Sequence, residues 1–474
     1  MLSIIIASSP VHGHVTPLLT VAKGFVERGD DVRFITGAAF ADRARATGAT
    51  HIALPPDADF DVDDLEATFP ERARLKGLRA VAFDVEHIGA NPARPQYEAL
   101  MAAHSAQPAD VVLAEPAFFG AMFLLAHRRP TRPLVVMCGV IPLGMPSADT
   151  APFGMGFPPA RLFNRPRNAV LAALNRRVWA RADDALDRLH RAVHGQPMPG
   201  HVLNWYSWAD AIAQFTVPSF EYPRSDAPAS LHFVGPLGAT GSQAPLPDWW
   251  GDLDGSRPVI HVTQGTVANK NYEQVIKPAL EALADDDVRI AVTTGGRPLD
   301  TLPPLPANAR AAEYLPYDEL LARTDVFVTN GGYGGVHYAL RYGVPIVATG
   351  GKEDKPEVGA RVAWSGSGLR LRTERPTPKA LRRAILTVLR ESCYRQASRR
   401  IADEMREYNG LGALIDIVER QRAGNGSIPP AHDGRTTATS SHHSADTVDF
   451  HAPTAWTATA SPASSESRDS TGTT

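Results

Sequence analysis

Only two cysteines, Cys138 and Cys393, occur in 474 residues. That excludes a disulfide framework and a thiolate metal site, and it fits a reducing cytoplasm. An excess of one charge is also missing. Forty-eight Lys and Arg stand against 51 Asp and Glu, a formal net charge of -3. A nucleic-acid binder would need a basic stripe to meet phosphates, so no such partner is expected. No apolar run is long enough to cross a bilayer. The opening residues Met1–Pro10 carry no basic leader and read as a buried strand rather than a signal peptide. A cytoplasmic chain without a transmembrane segment is the expectation.

What is present is apolar material spread along most of the length, 43% of all residues. A chain this long exceeds one hydrophobic core, so two domains are expected. Short buried runs alternate with amphipathic ones. Leu2–Ala7, Asp31–Thr36, Asp110–Ala114 and Leu134–Met137 read as strands, and Leu18, Leu19, Ala22 and Phe25 recur at helical spacing. Ala213–Val217 and Leu231–Val234 read as closing strands. The pattern restarts with Val259–Thr263, Val288–Thr293, Val326–Thr329 and Pro345–Ala348, and three amphipathic helices follow from Thr377 onward. Buried strands alternating with helices predict parallel sheets covered on both faces. The boundaries that follow are 1–235 for a first domain, 236–258 for a linker, 259–395 for a second domain, and 396–424 for helices packing back toward the first. Residues 425–474, rich in Ser, Thr, Ala and Asp, are expected to be a disordered tail.

Two segments point to chemistry. Ser9–Pro17 follows the first strand, at the sheet edge where α/β folds place their active sites. His14 stands where loop meets helix, and a neutral imidazole there could take a proton from a hydroxyl. It could equally do no more than satisfy backbone or water in the turn; His12 is the weaker candidate. A base of this kind needs an orienting carboxylate. Glu115 closes a buried strand at the same edge and could serve, or could be a satisfied structural acid.

The second segment is Val328–Tyr338, where a buried strand runs into Gly331, Gly332, Gly334 and Gly335 and then a helix. Backbone N–H groups at such a helix start form an anion nest suited to a diphosphate. No lysine follows in the manner of an ATPase loop, and the dinucleotide spacing is absent. A similar turn, Thr263–Thr266 with Gly265, follows the first strand of the same domain. Asp354, in Glu353–Glu357, could accept from sugar hydroxyls; the alternative for this run is a solvated charged surface.

Residues 1 to about 422 resemble the GT-B fold UDP-glycosyltransferase superfamily (family 1), in the style of bacterial macrolide and natural-product enzymes. The resemblance is carried by Pro10–Pro17 with Arg28–Val32, by Tyr314–Leu321, by Asp325–Gly335 and by Tyr342–Val347. It implies an α/β GT-B architecture, two Rossmann-like domains facing across a cleft. It implies an inverting, metal-independent transfer of a hexose from a UDP- or dTDP-linked donor to a hydroxyl of a small aromatic or polyketide-type acceptor. His14 would be the base and Glu115 its partner, where the family usually has Asp. The diphosphate would lie over Gly331–Gly335 with Val336, near Gly265 and Thr266. The base would stack near Tyr314, with Leu315 offering its backbone, and the sugar would meet Asp354. The nucleotide sugar is a cosubstrate, and no cofactor stays bound.

Three positions depart from the family. Its phosphate-facing histidine is Asn330, its ribose-gripping glutamate aligns with Tyr338, and the glutamine after the sugar-binding aspartate is Lys355. A dTDP donor has no 2'-hydroxyl to lose, so the Tyr338 change favours it, while the breadth of the family favours UDP. Acceptor-lining residues are expected in 60–90 and 141–200, with Phe153, Phe157, Phe163 and Trp179 as apolar candidates. Two other functions fit the same resemblance: a GT-B nucleotide-sugar epimerase, and an inactive nucleotide-sugar-binding partner.

Overall fold

The structure is a computed structural model that describes residues 1–61, 68–75, 78–127, 129, 131–238, 244–265 and 271–424. Thr266 and the segment expected to form the tail lie outside the described residues.

Two parallel sheets organise the chain. The first has seven strands in the order β3-β2-β1-β4-β5-β6-β7. These are β1 Ser3–Ala7, β2 Asp31–Thr36, β3 Thr50–Ala53, β4 Val111–Ala114, β5 Leu134–Gly139, β6 Ala211–Gln214 and β7 Leu231–Phe233. The second has six, β10-β9-β8-β11-β12-β13. They are β8 Val259–Thr263, β9 Arg289–Thr293, β10 Ala309–Ala312, β11 Val326–Thr329, β12 Ile346–Ala348 and β13 Gly368–Arg370. Every pairing is parallel.

The main helices of the first half are α1 His12–Glu27, α2 Ala93–Ala106 and α3 Asn164–His194. Those of the second are α4 Ile276–Leu283, α5 Tyr317–Arg323, α6 Tyr333–Arg341, α7 Lys355–Trp364, α8 Pro378–Arg390, α9 Ser392–Arg406 and α10 Gly410–Arg422. The central strand β1 shows why the run Ile4-Ile5-Ile6 is apolar at every position. Ile4 and Ile6 pack on Leu18, Ala22 and Phe25 of α1 and on Leu414 and Ile417 of α10. Ile5 and Ala7 face the other way, onto Leu100 of α2 and Trp179 and Leu186 of α3. With both faces covered, each large side chain contributes about 1.5–3 kcal/mol of burial. Ile401 and Met405 of α9 join the cluster around α6, which also takes in Val217 and Phe220 of the first half.

Three strands were not anticipated from the sequence: β3, β10 and β13. All three are edge strands, and the residues of β3 are half-buried or exposed. An edge strand lacks the continuous apolar run that marks a central parallel strand. Helix α7 was also unanticipated, because three of its buried residues are Lys355, Glu357 and Arg361.

In each sheet the strand order reverses once, between β1 and β4 and between β8 and β11. Connections leave in opposite directions at such a point and open a crevice beyond the strand ends. The two candidate segments found in the sequence leave from β1 and β11.

Candidate active site

Helix α1 starts at His12, so His14 lies in its first turn rather than in a loop, and Pro17 lies inside the helix. The imidazole Nδ1 stands 2.6 Å from Glu115 Oε2. Glu115 follows β4, is fully buried, and is held by backbone donors on both oxygens. Ser9 N donates to Oε1 at 3.0 Å and Ala117 N to Oε2 at 2.7 Å. Burial would otherwise raise this carboxyl; the His14 charge and these donors outweigh it and hold it below its ordinary value. A carboxylate facing Nδ1 fixes the proton there and leaves the Nε2 lone pair for a substrate. The His14 side chain is 15% exposed, so it is not sealed in the core.

Burial by itself would lower the His14 pKa. The Glu115 carboxylate outweighs that, Asp354 and Glu353 add to it, and the net direction is up from 6.5. Gly154 N and Gly156 N donate to Glu357 Oε1 at 3.0 and 2.7 Å, so the start of α7 packs against the first half. Asp354 caps α7. Burial raises its carboxyl, opposed by Lys355 and His14. Lys355 is buried and pairs with Glu353, which adopts φ 57, an uncommon left-handed value for a non-glycine. Within the run Glu353–Glu357, Lys355, Pro356 and Glu357 are buried, Asp354 is partly exposed and Glu353 is exposed.

In the glycine turn the Gly331 amide donates to Thr329 Oγ1 at 3.3 Å. Gly331 has φ 94, Gly332 caps α6, and Gly334 and Gly335 fall in that helix's first turn. A Cβ at Gly332, Gly334 or Gly265 would meet nothing within 4 Å. Among the described residues, nothing crowds the Cβ direction at these three glycines. Val336 is fully buried and anchors the helix. Asn330 behaves differently from the expectation of a phosphate donor: its Nδ2 donates to the carbonyl of Gln264 at 2.6 Å. The amide ties the turn after β11 to the turn after β8. Tyr314 is 46% exposed and its hydroxyl donates to Gly295 O, whereas the Leu315 side chain is fully buried. Tyr338 packs edge-on against Tyr317 at 5.6 Å.

The apolar acceptor candidates divide. Trp179 is 4% exposed and belongs to the core, while Phe163 is 81% exposed. Phe153 lines a cavity of about 590 Å³ together with Gly144, Pro152, Asn175 and His201. Residues that the sequence did not flag are Gln96 and His337. Gln96 is fully buried, accepts from Gly120 N at 3.0 Å and donates to Ser9 Oγ at 3.4 Å, behind the dyad. His337 lies between Tyr333 O (2.9 Å) and Thr216 Oγ1 (2.7 Å), so it joins α6 to the first half. Burial lowers its pKa to about 4. The only sequence signal for either is a polar residue within an otherwise buried stretch.

Two Rossmann-like halves facing across a cleft define a GT-B glycosyltransferase. The erythromycin biosynthesis protein CIII-like C-terminal domain family matches residues 277–408. The chain is 40% identical over 428 residues to 4'-demethylrebeccamycin synthase of Lentzea aerocolonigenes, covering 88% of this chain and 98% of that protein. It is 34% identical over 439 residues to UDP-glycosyltransferase 2 of Phaeomoniella chlamydospora, covering 89% and 96%. Among solved structures, the calicheamicin glycosyltransferase aligns with TM-score 0.67 at 22% identity over 89% of this chain and 98% of that one. The spinosyn rhamnosyltransferase complexed with thymidine diphosphate aligns with TM-score 0.60 at 19% identity, over 88% and 100%. The chain belongs to the UDP-glycosyltransferase superfamily, family 1, and is a glycosyltransferase of the natural-product type. No described helix is long and apolar enough to cross a membrane.

Proposed function

We propose that the chain moves a hexose from a UDP- or dTDP-linked donor to a hydroxyl of a small aromatic or polyketide-type acceptor, inverting the anomeric carbon. The observation that carries this reading is the His14–Glu115 pair, 2.6 Å apart, at the crevice where β1 and β4 are neighbours. His14 Nε2 takes the acceptor proton while Glu115 steadies the imidazolium. The acceptor oxygen bonds to the anomeric carbon as the bond from that carbon to the phosphate oxygen breaks, and its electron pair leaves on the diphosphate. Backbone amides at the start of α6 stabilise that growing charge, with Gly265 and Thr266 bordering the diphosphate from the turn after β8. These fixed dipoles serve in place of a metal ion. Tyr314 stacks on the base, Leu315 offers its backbone to it, and Asp354 and Lys355 border the sugar.

The reading draws support from relatives whose names specify UDP donors and from a structural neighbour holding thymidine diphosphate. The test is incubation with UDP- and dTDP-hexoses and a panel of polyketide and aromatic acceptors. Products are followed by mass spectrometry and anomeric coupling constants. Transfer with inversion supports the reading. A retained anomeric configuration contradicts it, as does donor epimerisation in the absence of acceptor.

A further inference from the structure

Helix α7 is built around buried charge. Arg361 is 1% exposed. Its Nε and Nη2 donate to Glu221 at 3.0 and 2.6 Å, and its Nη1 donates to Glu357 at 2.9 Å. Its guanidinium also lies 4.3 Å from the centre of the Tyr222 ring. Glu221 belongs to the first half of the chain and accepts from Leu143 N at 3.2 Å. That pair alone would join the halves.

Glu357 does something more specific. Its Oε1 accepts from the backbone N–H of Gly154 at 3.0 Å and of Gly156 at 2.7 Å. Both glycines have positive φ, 91 and 60. A Cβ on Gly156 would stand 2.7 Å from Pro356 O. The segment therefore lies directly on the first turn of α7, and Arg370 also holds it, donating to Gly156 O at 2.7 Å. The neighbouring Pro152 and Phe153 line the 590 Å³ cavity of the first half. At the other end, Asp354 caps the same helix three residues before Glu357. Three residues of helix span about 4.5 Å. One rigid turn thus connects the residue facing the donor sugar to a segment on the acceptor side.

We propose that Glu357 is a positioning residue: it transmits the location of the donor sugar, set at Asp354, to the segment around Gly154 and Gly156, which aligns the acceptor for attack. This rests on the transferase reading above. A misplaced acceptor leaves the anomeric carbon open to water, so the loss appears as donor hydrolysis and not as weaker nucleotide binding.

The test compares Glu357→Ala and Glu357→Gln in the full chain. UDP affinity, donor KM, acceptor KM and the ratio of transfer to donor hydrolysis are measured. Expected for Glu357→Ala are UDP affinity within about twofold of wild type, acceptor KM raised roughly tenfold, and a ratio shifted toward hydrolysis, since misplacement of about 1 Å costs up to ~100-fold. Glu357→Gln keeps an oxygen for both glycine amides and restores most of the ratio. An unchanged ratio, equal losses in donor and acceptor KM, or a glutamine variant no better than alanine overturns the proposal. A second measurement covers an alanine variant that does not fold. Hydrogen exchange at Gly154 and Gly156 in the wild type is expected to slow when UDP-glucose or dTDP-glucose binds, and unaltered exchange in the bound protein overturns the coupling. A wild type that transfers to no acceptor would sink the transferase reading instead, while the exchange measurement would still report on the coupling.

Discussion

His14 and Glu115 lie 101 positions apart in the sequence and meet with Nδ1 and Oε2 2.6 Å apart. The meeting follows from strand order. β1 and β4 are neighbours at the reversal of the first sheet, and each residue follows one of them. The same reversal in the second sheet brings together Gln264 and Asn330, joined by a 2.6 Å hydrogen bond. Each half therefore presents its chemistry from its own crevice.

Replacing Glu115 by Gln removes the charge that raises the His14 pKa. The base works only when neutral, so its ionisation sets the acid limb of kcat/KM. In the variant that limb moves to lower pH, and the plateau falls by about 100-fold or more as the imidazolium loses its support. A pH–rate profile checks both. An unmoved limb would show that the pair does not set the ionisation.

Glu221 is a buried carboxylate. Burial raises its pKa, but Arg361 and then Arg224 outweigh that, and the net direction is down from 4.5. Its contribution to stability is present above 4.5 and is lost as pH falls through the depressed folded value. Glu221→Gln strands Arg361 with one carboxylate instead of two. A cost of about 3–5 kcal/mol is expected near neutral pH, with a shallower acid dependence than the wild type. Denaturant unfolding across pH measures both.

Tyr338 stands where the family holds a ribose-gripping glutamate. Without a carboxylate there, UDP and dTDP should bind within a few-fold of each other. Tyr338→Glu should favour UDP by roughly tenfold, the worth of one charged hydrogen bond to the 2'-hydroxyl. Thermal shifts with the two nucleotides give the comparison. A wild type that already prefers UDP strongly would mean that the ribose is held elsewhere.

The central strands were legible because a parallel strand buried on both faces must be apolar throughout, as Ile4-Ile5-Ile6 and Val326–Val328 are. His14, Glu115 and the glycines were legible because each follows such a strand. The edge strands were not, since Ala309–Ala312 carries little apolar signal. Nor was α7, which buries Lys355, Glu357 and Arg361 beside Val358 and Val362. Lys355 pairs locally with Glu353 and Arg361 with Glu357, but the remaining partners, Glu221 for Arg361 and the Gly154 and Gly156 amides for Glu357, lie more than 130 positions away, and no local pattern announces them. Asn330 was assigned to the phosphate from its place in the turn; its hydrogen bond to Gln264 depends on the β8–β11 pairing.

The central claim is that the imidazole performs the proton transfer while the opposite half holds the nucleotide. His14→Ala separates the two in one preparation, with transfer rate and UDP binding measured side by side. The account predicts transfer reduced by about 100-fold or more with UDP affinity within about twofold. A variant that still transfers at the wild-type rate would contradict it.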